Sequence, residues 1–114
     1  MVDRRVAGPR AYYSAKVQGM TVSMLQFRLE LEGLESIKDK RRIVSSLKEK
    51  LQVRFRLSVA EVDLQDSLRQ ARIGAALVSN SRRFGESVLH KVLAFVEHEA
   101  PGRLAEAEIF TEQY

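Results

Sequence analysis

Between Leu25 and Leu31 the apolar residues fall on every second position, Leu25, Phe27, Leu29 and Leu31 alternating with Gln26, Arg28 and Glu30. A period of two marks a strand with one buried face, because successive side chains leave a strand on opposite sides. After Gly33 the period changes. Ile37, Val44, Leu47, Leu51 and Phe55 follow at spacings of 7, 3, 4 and 4 residues, which return to one face of a helix. Ser36 stands before them as an N-cap, with Asp39 three residues later as a short capping-box partner, so the pattern predicts a helix from about 37 to 54. The alternating, β-branched stretch Leu57–Asp63 reads as a second strand, Leu64–Gln70 as a turn and Ile73–Val78 as a third strand. Ser79, Asn80 and Ser81 compete to cap a second helix. Phe84, Val88, Leu89, Val92, Phe95 and Val96 supply its apolar face, Pro101-Gly102 its end, and Leu104–Phe110 a fourth strand.

The order strand, helix, strand, strand, helix, strand is two βαβ halves in one chain. At 114 residues there is room for one core, and the expected fold is α+β, a ferredoxin-like βαββαβ sandwich. Its four-stranded antiparallel sheet carries two helices on one face. Residues 20–114 are expected to form this domain, with residues 1–19 a basic N-terminal extension and Met20 a second candidate translation start. Inward positions follow from keeping charge out of the core. They are Ala60 and Val62 on strand two, Ile73, Ala75 and Leu77 on strand three, and Ala105, Ala107 and Ile109 on strand four; Arg72, Glu106 and Glu108 turn outward.

Composition narrows the chemistry. With no cysteine, disulfides, thiolate metal sites and a cysteine nucleophile are excluded. His90 and His98 fall in helix two and read as structural. Glu61, Asp63 and Asp66 are the densest acidic cluster, but no histidine, serine–base pair or glycine-rich loop accompanies them. No catalytic residue, cofactor or metal is therefore expected. No run approaches the roughly 18 apolar residues of a membrane span, and residues 1–19 lack the apolar stretch of a secretory signal, so the expected location is cytoplasmic.

Charge is unevenly distributed. Residues 1–19 carry a net +3, 20–37 a net −2, 38–56 a net +6 and 57–114 a net −3. On a helical wheel Lys38, Arg41, Arg42 and Lys48 lie off the apolar stripe and form a candidate nucleic-acid-binding surface, since each neutralised phosphate releases counterions. Base stacking on the open sheet is not expected. The outward residues of the central strands, Met24, Gln26, Arg28, Gly74, Ala76 and Val78, include no aromatic ring.

Three stretches carry a further signal: Ser36-Ile-Lys-Asp-Lys-Arg-Arg-Ile-Val44, Ser58-Val-Ala-Glu-Val-Asp63 with Gln65-Asp66, and Val78-Ser-Asn80. Together they resemble the YlxP-like family of small bacterial proteins, a family of unknown function, over about 95 residues from Met20. The resemblance implies a ferredoxin-like fold and, because members are often encoded beside translation-initiation and ribosome-maturation genes, a role near the ribosome. It brings no catalytic residue. Leu68 stands where relatives often have tryptophan, and residues 1–19 have no counterpart. The expectation is a non-enzymatic module that binds structured RNA or a ribosomal surface through helix one. The alternative is a homo-oligomeric scaffold or protein-interaction module that uses the open sheet face.

Overall fold

A computed structural model describes residues 18–114; the basic extension expected over residues 1–19 lies outside the described residues except for its last two. The chain runs β1 (Thr21–Glu30), α1 (Ile37–Phe55), β2 (Ser58–Asp63), β3 (Gln70–Ser79), α2 (Arg82–Glu99) and β4 (Arg103–Gln113). The strands form one sheet in the order β2-β3-β1-β4, with every neighbouring pair antiparallel. This is the ferredoxin-like α+β arrangement, with both helices on one face.

The helices begin where the capping chemistry places them. Ser36 Oγ accepts from the Asp39 N–H at 3.1 Å, and of the three candidates for α2 it is Ser81 whose Oγ accepts from the Phe84 N–H, at 3.1 Å. Each contact satisfies a backbone donor that a helix start leaves without an internal partner. Ser79 supports the second cap by donating to the Ser81 carbonyl at 2.9 Å. Among the described residues no helix is long and apolar enough to cross a membrane.

Leu25, Phe27 and Leu29 of β1 and Ala71, Ile73 and Ala75 of β3 form the sheet side of the core. Val44, Leu47 and Leu51 of α1 and Leu89, Val92 and Val96 of α2 close it. Where α2 meets β1 the approach is tight: a Cβ on Gly85 would overlap Ser23 Oγ, so glycine there allows the helix to seat. At the α2–β4 turn Gly102 has φ +83°, and a Cβ on it would overlap the Glu30 carbonyl oxygen. Only glycine meets both demands without strain.

Two expected orientations are overturned, each beside a β-bulge. In β2, Val59 and Glu61 turn toward the helices, paired with the inward Ala75 and Ile73, whereas Ala60 pairs with the outward Gly74. Val62 is displaced at the register shift between Glu61 and Asp63 and lies on the open face against Gly74. Glu61 can point inward because Lys40 of α1 meets it there, a partner that the outward assignment had not supplied. In β4, a shift sets Leu104 opposite Leu29 and Glu106 opposite Arg28, so Leu104 replaces Ala105 against the core. A bulge inserts one residue and reverses the alternation beyond it.

Leu47 is 4% exposed, so Leu47→Ala should lower stability by about 2–5 kcal/mol by leaving a cavity. Arg41→Ala, on the solvent side, should change it by less than about 0.5 kcal/mol. Urea denaturation of the two variants checks the helical register directly.

Candidate nucleic-acid interface

The basic run at the start of α1 divides as soon as the helix forms. Lys40 shares the buried face with Val44, Leu47 and Leu51 and is 1% exposed. Its Nζ lies 3.0 Å from Glu61 Oε2, at an angle that makes the contact an ion pair without a hydrogen bond. The ammonium donates to the carbonyls of Leu64 and Gln65 instead. One cation thus joins α1, β2 and the β2–β3 turn, and a buried charge needs such a set of partners.

The four residues singled out in the sequence stay outside the apolar core. Lys38, Arg41 and Arg42 are exposed and Lys48 is half-buried. Lys38, Arg41 and Lys48, three and seven residues apart, follow one flank of α1. Arg42, four residues after Lys38 and so its neighbour on the helix surface, also lines a groove of about 300 Å³, where with Ile43, Ser46 and Lys50 it faces Phe95 and Glu99. The groove continues past Val53 and Arg54 to Lys91, Ala94 and His98 of α2.

Phe95 forms the aromatic floor of this groove. It meets Phe55 edge to face, with ring centroids 5.7 Å apart, and the Arg54 guanidinium carbon lies over it, 4.9 Å from the ring centroid. That is within range for a cation–π contact. Lys50, Arg54 and Lys91 were absent from the residues singled out because the wheel of one helix carries no information about its neighbour. The available signal was Phe55 and Phe95, each near the end of its helix's apolar stripe and close to a cation.

The remaining expected groups are dispersed. Glu61 is held by Lys40, Asp63 accepts from the Leu64 N–H at 2.8 Å and Asp66 is exposed. Among the described residues no group of three or more His, Asp or Glu side chains could hold a metal ion. His90 is exposed on α2, and His98 lies in its last turn beside the groove.

The open sheet face carries a different chemistry. Glu106 of β4 takes Arg72 at 3.0 Å and Arg28 at 3.5 Å, and Arg28 also reaches Glu30 at 3.4 Å, a chain of ions across three strands. On the same face Val62, Val78 and Phe110 remain exposed. Phe110 is an aromatic residue of this face, but it stands on edge strand β4, opposite Met24. On this face the central strands β3 and β1 carry no ring, as the sequence indicated.

Three carboxyls are held below the ordinary glutamate range. Glu106 is held there chiefly by its hydrogen bond from Arg72, Glu30 by the hydrogen bond from Arg103 and Glu86 by the Thr111 hydroxyl and then Arg82. Hydrogen bonds to the charged form lower a carboxyl's pKa.

Fold and surface together define a small ferredoxin-like α+β module with a basic helix layer. The chain belongs to the family described as Protein of unknown function (DUF503), whose sequence model matches residues 22–109. It is 36% identical over 62 residues to "Uncharacterized protein YlxP" of Bacillus subtilis (strain 168), a match that covers 54% of this chain and 67% of that protein. Among solved structures, "De novo designed protein Ferredog-Diesel" matches at a TM-score of 0.40 and 15% identity, over 88% of this chain and 91% of that one.

Lys40→Ala should destabilise the protein by about 3 kcal/mol, the low end for a broken buried pair, because Glu61 keeps 16% side-chain exposure; urea titration at neutral pH measures it. The lowered carboxyls predict a second outcome. Groups more acidic in the folded state stabilise it fully above the ordinary glutamate range, and that contribution is lost as pH falls through their depressed values. The urea midpoint should therefore drop on the acid side of about pH 4, and Glu106→Gln should make that drop shallower.

Proposed function

We propose that this protein is a non-enzymatic cytoplasmic binding module that engages structured RNA or a ribosomal surface through the basic face of α1. The observation that carries this reading is the separation of charge between the layers. Lys38, Arg41, Arg42, Lys50 and Arg54 are all exposed along α1, whereas Glu106, Glu108 and Glu112 are exposed along β4. A helix that turns five cations outward supplies the phosphate contacts that dominate nucleic-acid affinity, and the acidic sheet edge disfavours docking from the other side. Arginine and lysine side chains read backbone charge without regard to sequence, which suits a structured RNA recognised by shape.

A second reading has its own support. The open face presents Val62, Val78 and Phe110 at 44%, 65% and 45% exposure, an apolar group that a second copy or another protein could cover. In this reading the chain is a self-associating scaffold or protein-interaction module.

The test changes Lys38, Arg41, Arg42 and Lys48 to glutamate together. The variant should remain folded by circular dichroism, because none of these side chains belongs to the apolar core. Ribosome co-sedimentation and RNA affinity should fall more than about tenfold, and the slope of log affinity against log salt should flatten by about 0.7–0.9 for each phosphate that the variant no longer neutralises. A folded variant that binds as tightly as wild type at every salt concentration would remove the RNA reading. A dimer mass by light scattering, abolished by Val78→Asp with Phe110→Asp, would favour the scaffold.

A further inference from the structure

We propose that the groove between α1 and α2 holds an unpaired RNA nucleotide, its base stacked on the outer face of the Arg54 guanidinium and its flanking phosphates on Lys50 and Lys91. The inference rests on the RNA reading above and deepens it, naming the place and the strandedness of the contact.

Three features of the groove lead to it. The first is a stacking surface that is already assembled. Arg54 lies over Phe95, which Phe55 holds edge to face, so an aromatic pair fixes one side of the guanidinium. The side chain is exposed and lines the groove, so it keeps area away from the Phe95 ring for a base to cover. Arginine planes and aromatic rings are the groups on which proteins stack splayed-out bases. A base in a duplex already has both faces covered by its neighbours and offers none to such a platform.

The second feature is the placement of charge around the platform. Lys50 is four residues before Arg54, one helical turn along α1, and Arg42 lies eight residues further back. At 1.5 Å per residue the three span roughly 18 Å of helix, while Lys91 lines the α2 side. A strand running along the groove therefore meets cations before, at and across from the stacking position.

The third is the modest size of the excess. Arg42, Lys50, Arg54 and Lys91 share the groove with Glu49 and Glu99. A site meant to grip a duplex backbone by charge alone would gain nothing from two carboxylates. They are compatible with a site where stacking supplies much of the hold and the cations position the phosphates.

Fluorescence anisotropy of the full chain tests this. The probes are a labelled oligoadenylate of about twelve nucleotides, within the range that single-strand sites cover, and the same strand annealed to its complement. The wild type should bind the single strand more tightly than the duplex. Arg54→Lys keeps the charge and loses the plane; it should weaken single-strand binding by about fivefold or more with an unchanged salt slope. Lys50→Glu with Lys91→Glu should weaken binding and flatten the slope. If Arg54→Lys binds like wild type while Lys38→Glu with Arg41→Glu weakens binding, RNA recognition stands and the groove assignment falls. Equal affinity for duplex and single strand would also overturn the stacking site. No binding of either probe, nor of the native ribosome, would overturn both readings and leave an acidic protein partner to be sought.

Discussion

The Lys40 ammonium decides how α1 sits on the sheet. Buried between Glu61 and the carbonyls of the β2–β3 turn, it sets the rotation of α1 about its own axis as firmly as the apolar residues of the same face. A rotation of one residue position would take Lys40 from its partners and leave Glu61 facing the core without a cation. Such an unpaired charge costs several kcal/mol, more than a surface ion pair returns. The outward direction of Arg41, Arg42, Lys50 and Arg54 follows from that constraint. The basic layer that gives the protein its polarity depends on one cation that is not part of it.

The two halves of the fold use different devices for the same task. In the first, an ion pair and two carbonyls dock the helix to the sheet. In the second, a missing side chain does so: Gly85 lets α2 close on Ser23 of β1. The pairing of β1 with both β3 and β4 then joins the halves, and the interhelical groove forms where the two differently anchored helices leave a gap at Phe95. Its shape is therefore a property of the assembled domain and of neither helix alone.

The element order and the fold could be read from the chain because they rest on local periodicity. Leu25–Leu31, Ile37–Phe55 and the capping serines each carry their signal within a few residues. What could not be read depends on partners distant in the chain. The inward turn of Glu61 makes sense only once Lys40, 21 positions earlier, is known to be its partner; the spacing of Lys40 to Val44 and Leu47 puts it on the apolar face, but nothing within the helix names the group it meets there. The bulge after Leu104, at Ala105, reverses the alternation without a glycine or proline of its own to mark it. Of the candidate surface, the exposure of Lys38, Arg41 and Arg42 was legible from the wheel. That Arg42 belongs with Lys50, Arg54 and Lys91 was not, because the groove lies between helices whose approach is set by the whole core.

The burial of Lys40 beside an exposed Lys38 also makes the chain its own clock. An amine-directed reagent can reach Lys38 in the native protein at any time, whereas Lys40, at 1% exposure, reacts only while α1 lifts from the β2–β3 turn. The two sites lie in the same short stretch of sequence, so the ratio of their labelling cancels differences in reagent and handling. What remains is how often this corner of the domain opens, a local quantity that global unfolding averages away.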